Sequence, residues 1–334
     1  MRVFLTGASG FVGGHLLREL LAKGAVVRCL VRDPARFEVP VVGPLGDDVE
    51  VVEGDLRRRE SFEPAVEGCE IVFHCAADYR LYARDPSELY AVNVEGTRNV
   101  LSAALDQRAR RVVYTSSVGA LGSTGDGSPA DEQTPVRLAD MVGHYKRSKF
   151  LAERVAEELA TQGLPVVVVN PSTPVGEGDV KPTATGRMIV DFLARRVPAY
   201  VDTGLNLVDV RDVAVGHLLA AEKGRPGERY ILGHRDMSLR EIYERLAEIA
   251  DLPAPRVRLP HALPLVVGAV DTALARVTRR EPRVALEAVR LSRHKMYFSP
   301  AKAVQELGLP QTPIEEPLRR AVDWFRSRGY VEAG

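Results

Sequence analysis

Short β-branched runs alternate with longer amphipathic stretches through the first two-thirds of the chain. Val3 to Thr6, Val26 to Arg32, Glu50 to Glu53, Ile71 to His74, Arg111 to Thr115 and Pro165 to Asn170 predict strands. His15 to Lys23, Val94 to Asp106 and His144 to Thr161 predict helices between them. Continuously apolar strands separated by helices indicate a parallel sheet covered on both faces. Beyond Asn170 the rhythm changes. Pro and Gly crowd into PSTPVGEGDVKPTATG, which predicts a loop reaching over a site. A helix near Arg187 to Arg196 follows. Leu207 to Glu222 then reads as a return to the sheet and a further helix. Tyr230 to Gly233, a helix from Ser238 to Ala250 with a Ser238/Glu241 capping box, and a helix from Glu315 to Arg328 complete the chain.

The fold class expected is α/β: a Rossmann-type doubly wound parallel sheet with a smaller, interleaved C-terminal substrate-binding region. The dinucleotide-binding domain is placed at 1–169 plus 207–224, and the substrate-binding region at 170–206 plus 225–334. The most apolar stretch, Ala262 to Val270, contains Pro264 and is too short to span a bilayer. A helix packed in the substrate region is the expectation there, with a lipid-touching flap as the alternative.

Composition narrows the partners. The 334 residues carry 45 Lys plus Arg and 45 Asp plus Glu, so no net charge points to nucleic acid or a membrane surface. Three cysteines without a C-x-x-C pair exclude a disulfide framework. The start, MRVFLTGASG, enters a strand directly without a signal-peptide pattern, and a cytoplasmic setting is expected. The seven histidines do not cluster, so no metal site is expected.

The chemistry begins at the first glycine turn. Gly7, Gly10 and Gly13 are spaced G-x-x-G-x-x-G after a strand and before a helix. Such a turn lets a pyrophosphate approach the backbone, and the helix points its free N–H groups at the phosphate. Gly7, Ser9, Gly10, Phe11, Val12 and Gly13 are the residues assigned to it. At the end of the second strand, where an acidic residue would hold the ribose 2′-OH of NAD, stand Arg32 and, close by, Arg36. Cations suit a 2′-phosphate, so NADP(H) is expected, with NAD(H) as the alternative that Asp33 supports. Asp55 and Leu56 end the third strand beside the expected adenine. Ala76 and Ala77 follow the fourth and leave room for the cofactor backbone.

Tyr145 and Lys149 lie four residues apart on one helix face. An ammonium near a phenol stabilises phenolate and lowers its pKa. Ser117 ends the fifth strand, where its hydroxyl meets a substrate oxygen. The three form the expected catalytic group. Tyr79, Tyr82 and Arg84 read either as a lid or as filling below the next helix. Lys181 and Arg187 read either as contacts to an anionic substrate group or as solvated loop charges, the latter favoured.

These motifs identify a resemblance. TGASGFVG at 6–13, GDL at 54–56, HCAA at 74–77, NVEGTRNV at 93–100, YTSS at 114–117, YKRSK at 145–149 and NPSTPVG at 170–176 resemble extended short-chain dehydrogenase/reductases. So do VDVRDVAVGH at 208–217 and YILGHRDMSLREI at 230–242. The superfamily is that of NAD-dependent epimerases and dehydratases. AADYRLYARDP, GHYKRSKFLAE and NPSTPVGEGDVKPTATGR are most similar to its dihydroflavonol 4-reductase-like branch and to hopanoid-associated sugar epimerases. The resemblance implies that Asn93 supports the active-site lysine through backbone or water. It also implies that Pro171, Ser172 and Thr173 border the nicotinamide. The Asp-Glu pair of sugar-nucleotide dehydratases is replaced by Val118, Gly119 and Ala120. The arginine that UDP-sugar epimerases offer to a diphosphate is replaced near Leu205 and Asn206, with Arg290 as the remaining candidate. The implied activity is reduction of a ketone or aldehyde. A nucleotide-sugar epimerase and a catalytically idle dinucleotide sensor are the alternatives. The implied partners are a small carbonyl or sugar substrate and, through the Glu88 to Asp106 and His144 to Thr161 helices, a second copy of the chain.

Overall fold

A computed structural model of the chain describes residues 1–80, 85–278 and 286–331. The first half runs β1 (Arg2–Thr6), α1 (Phe11–Ala22), β2 (Val26–Val31), β3 (Val49–Glu53), α2 (Glu63–Val66), β4 (Ile71–His74), α3 (Ser87–Tyr90), α4 (Gly96–Asp106), β5 (Arg111–Thr115) and α5 (Gly143–Thr161). It continues through β6 (Val166–Pro171), β7 (Thr173–Val175), α6 (Ala184–Leu193), β8 (Ala199–Val201), β9 (Gly204–Asp209) and α7 (Val210–Lys223). Last come β10 (Arg229–Leu232), β11 (Arg235–Ser238), α8 (Leu239–Ala250), β12 (Val257–Leu259), α9 (Ala262–Thr278), α10 (Leu286–Leu291) and α11 (Glu315–Ser327).

Seven strands pair in the order β10-β6-β5-β4-β1-β2-β3, all parallel. This is the doubly wound α/β architecture expected from the alternating pattern. Alternation along each strand divides the core. Val3 and Leu5 face α1 and α7, whereas Phe4, Val72, Val112 and Val168 face α4 and α5. The chain order reverses between β1 and β4, and the crevice at their carboxyl ends is where ligands bind such sheets.

Two strand placements differ from the expectation. β9 does not return to the large sheet. It lies between β7 and β11 in a three-stranded sheet. β10, assigned by sequence to the substrate region, is instead the edge strand beside β6. Both segments are short and apolar, and periodicity alone does not select a partner strand. Helix α1 also begins at Phe11, because Gly13 and Gly14 lie inside it. The capping box at Ser238 and Glu241 forms as read. The third apolar cluster joins α6, α8 and α11 around Leu207 and Met237. Among the described residues no helix is long and apolar enough to cross a membrane.

Candidate active site

The glycine turn closes against the opposite side of the strand reversal. Gly7 has φ +80°, and a Cβ there would meet the Ala76 backbone nitrogen at 2.6 Å. A Cβ on Gly13 would overlap the Gly7 carbonyl oxygen. The turn is held by the Gly10 N–H donating to the Gly7 carbonyl at 2.9 Å. No side chain caps α1, so its first-turn amides, on Phe11, Val12 and Gly13, are left for a ligand. Across the crevice the Ser172 Oγ is buried and has no hydrogen-bond partner among the described residues. A cradle that admits no side chain, an uncapped helix start and an orphaned hydroxyl fit a dinucleotide.

The strand ends beneath this cradle are fixed by a chain of hydrogen bonds. Ala76 N–H donates to Thr6 Oγ1 at 3.2 Å, and Thr6 Oγ1 lies 2.8 Å from His74 Nδ1. His74 Nε2 lies 3.0 Å from Thr97 Oγ1, whose own proton goes to the Asn93 carbonyl at 2.7 Å. Only one tautomer satisfies this chain: Nε2–H donates to Thr97, and Nδ1 accepts from Thr6. Burial pushes His74 down to about 3, so the ring is neutral. Both nitrogens are engaged, and no group of ligands among the described residues is arranged for a metal.

The catalytic group assembles at the ends of β5 and β6. Ser117 starts a short turn in which its Oγ accepts the Gly119 N–H at 3.0 Å. Tyr145, in the first turn of α5, stands beside the Ser117 hydroxyl. Burial raises the Tyr145 pKa, and the neighbouring Ser117 hydroxyl only partly opposes that rise. Lys149 stands one turn later on the same face. Its ammonium donates to the Thr115 carbonyl at 2.8 Å and lies 4.8 Å from the Tyr114 ring centroid. Burial lowers Lys149 to about 8.

This corrects the expected phenol–ammonium pairing. The lysine does share the helix face with Tyr145, but its charge is spent on a strand carbonyl and a neighbouring ring. Tyr145 therefore holds its proton at neutral pH rather than losing it. Asn93 contacts neither of them through its side chain. Its Oδ1 accepts the Asp78 N–H at 2.7 Å, while Nδ2 donates to the Asp78 carbonyl at 2.8 Å and to Ser148 Oγ at 2.9 Å. It pins the segment after β4 to α5, from a single π-helical turn at Ala91–Glu95.

At the outer end of the crevice, Asp33 caps the Ala35 N–H at 3.1 Å and pairs with Arg36 at 3.3 Å. Arg32 is exposed, and its side chain has no partner among the described residues. Asp55 is paired with Arg57 at 2.5 Å, which holds its carboxyl down near 2. The Leu56 carbonyl accepts from Asn99 Nδ2 at 2.8 Å. Tyr79 reaches over the cleft to the Lys181 carbonyl at 3.1 Å, and Arg187 is exposed. Tyr82 and Arg84 lie outside the described residues. Asn206 is buried and bonds Asp236 and the Phe298 carbonyl, so it is structural.

Residues 3–233 match the model of the NAD dependent epimerase/dehydratase family. The chain belongs to this family. A provisionally named dihydroflavonol 4-reductase of Synechocystis sp. is 46% identical over 98% of this chain and 96% of its own length. Sterol demethylase protein B of Methylococcus capsulatus is 36% identical over 99% of this chain and 100% of its own. The crystal structure of gox2253 covers 99% of both chains at 43% identity and a TM-score of 0.87. That of PA4631, described as a nucleoside-diphosphate-sugar epimerase from Pseudomonas aeruginosa, covers 99% of both at 28% identity and a TM-score of 0.79.

As a member of the epimerase/dehydratase family the protein is an enzyme type that binds a nicotinamide dinucleotide. Its site includes residues that the motifs did not single out. Glu153, 2% exposed in its side chain, accepts from Ser116 Oγ at 2.6 Å and Asn170 Nδ2 at 3.1 Å, and pairs with Arg229 at 3.1 Å. It ties the ends of β5 and β6 to β10. Its position two turns below Tyr145 on α5 was readable, but its pairing with β10 was not. Lys146, beside Gly119, is lowered to about 8 by burial, and its ammonium meets only the Met296 thioether, at 3.5 Å, among the described residues.

Proposed function

We propose that the protein is an NADP(H)-dependent reductase of a ketone or aldehyde. The observation that carries this reading is the phenol of Tyr145. Its proton is retained by burial, and it stands beside the Ser117 hydroxyl at the carboxyl edge of the sheet. A proton donor is what an oxygen becoming an alkoxide requires. The dinucleotide would lie on Gly7, Ser9, Gly10, Phe11, Val12 and Gly13, along Asp55, Leu56, Ala76 and Ala77, with Pro171, Ser172 and Thr173 at its nicotinamide. When bound, it supplies a hydride to the substrate carbonyl carbon. Ser117 orients the substrate oxygen, and Tyr145 gives that oxygen its proton. Lys149 places a cation on the same helix face, and Asn93 and His74 act as positioning residues. The seven-stranded sheet serves the cofactor, and the two smaller sheets with the C-terminal helices serve the substrate.

NADP(H) is favoured because Asp33 is already committed to a turn and to Arg36, while Arg32 is free. The chain departs from dehydratases at Val118, Gly119 and Ala120, which are buried and apolar or small. The reductase name of the Synechocystis relative supports reduction, and the likeness to the P. aeruginosa epimerase structure supports the alternative.

The test is NADPH oxidation against a panel of ketones, aldehydes and nucleotide sugars. Stoichiometric consumption of NADPH with a carbonyl is expected. Tyr145→Phe should lower that rate by about 10²–10⁴-fold while leaving dinucleotide binding intact. Arg32→Glu should raise the Kd for NADPH by about 10–100-fold and leave NADH little changed. Interconversion of nucleotide sugars without net NADPH loss overturns the reductase reading in favour of an epimerase. A Tyr145→Phe protein with full biological activity overturns catalysis altogether.

A further inference from the structure

Helix α9 is fixed by a face of small side chains. Gly268, Thr272 and Ala275 are buried, with Val289 of α10 buried beside them. On the opposite face Leu263, Val266, Val267, Val270 and Leu274 are between 46% and 63% exposed. Their spacing gathers all five into a stripe about 100° wide. Five aliphatic side chains in one stripe are a contiguous apolar patch, not the scattered exposed residues that any surface carries.

The sequence of this segment is more basic than the rest of the chain. Segment 256–295 holds nine Lys or Arg against three Asp or Glu, in a chain whose total charge is zero. Many arginines elsewhere are neutralised by carboxylates, as in Arg98–Glu158, Arg211–Glu177 and Arg229–Glu157. On the elements flanking α9, Arg256, Arg290 and Arg293 are exposed and have no side-chain partner among the described residues. An apolar helix face with unpaired cations beside it complements one kind of surface: acyl chains beneath anionic headgroups.

The same wall borders the catalytic cleft. Glu287 of α10 packs against Gly143, where a Cβ would come within 2.6 Å of Glu287 Oε2. Gly143 opens α5, two residues before Tyr145.

We propose that α9, with Arg256, Arg290 and Arg293, is a docking surface for an anionic lipid bilayer. The helix lies in the plane of the interface with its Leu and Val face inserted, and the cleft is brought to the membrane. The proposal does not depend on which reaction the site performs.

The experiment is co-sedimentation of the full chain with vesicles of phosphatidylcholine alone or with about a third phosphatidylglycerol. Partition into the anionic vesicles is expected to exceed that into neutral ones and to fall with added salt. Val266→Asp/Val270→Asp should abolish it. Arg290→Glu/Arg293→Glu touches only exposed side chains and keeps the apolar face. It should weaken partition by about 25-fold or more, since each of the two cations lost contributes about fivefold. NADPH binding should be unchanged in both variants, which separates lost docking from lost folding. Equal, weak partition of the wild type into both vesicles overturns the proposal. So does a concentration-dependent dimer, seen by sedimentation velocity and abolished by Val266→Asp/Val270→Asp, without vesicle binding. In that case a second copy covers the face.

Discussion

His74 offers a quantitative test of how the crevice is held. Its ring is fully buried, stacks on Tyr114 at 5.6 Å, and bridges Thr6 to Thr97. The folded protein holds it neutral, at about 3, against an ordinary value of 6.5. A base whose folded pKa is depressed contributes stability that is fully present above its unfolded pKa. That stability is lost as pH falls from 6.5 toward about 3. At pH 5 the unfolded chain has taken up the proton and the folded chain has not. The separation is then 1.5 pH units below the unfolded value, or about 2 kcal/mol. His74→Gln keeps a polar group in the bridge and removes the titration. The wild type should therefore lose about 2 kcal/mol more than His74→Gln between pH 7 and pH 5. Urea unfolding at both pH values, with each m value checked for constancy, measures this difference. His217 and Asp179 also titrate in this range, but they are common to both proteins and cancel. If the two proteins lose equal stability, the ring is protonated in the folded state, and the single-tautomer bridge is wrong.

Other consequences follow from the site. Lys149 is charged below about 8 and neutral above it, so reduction should fall about tenfold per pH unit beyond that point. Lys149→Arg, which stays charged, should remove this alkaline limb at a lower kcat, and a wild-type profile flat well above that pH would contradict the assignment. Glu153→Gln leaves Arg229 with Glu157 alone and should cost about 1–3 kcal/mol in urea unfolding, below the full buried-pair figure because Glu157 still pairs with it and Arg229 is partly exposed. A loss under 0.5 kcal/mol would show that the tie to β10 carries little. Gly13→Ala should raise the NADPH Kd by more than tenfold or prevent folding, since its Cβ has no room beside the Gly7 carbonyl; tight NADPH binding by a folded variant would refute the cradle.

What the sequence determined by itself was everything set by local spacing. The strand–glycine–helix turn, the alternation of strand faces, the pairing of Tyr145 and Lys149 on one helix face, and Ser117 at a strand end all follow from periods of 2 and 3.6 and from glycine's missing Cβ. Tertiary structure decided what depends on where distant segments meet. β9 left the large sheet and β10 joined it, because hydrogen-bonding edges are equivalent until neighbours are placed. The Lys149 ammonium turned to the Thr115 carbonyl and the Tyr114 ring, so that the phenol keeps its proton. Asp33 was taken by Arg36 and a turn, Glu153 by Arg229, and His74 by two threonines. Those partners lie up to 76 residues apart. Spacing reports which face a side chain shares, but burial and the nearest competing dipole set its charge and its partner.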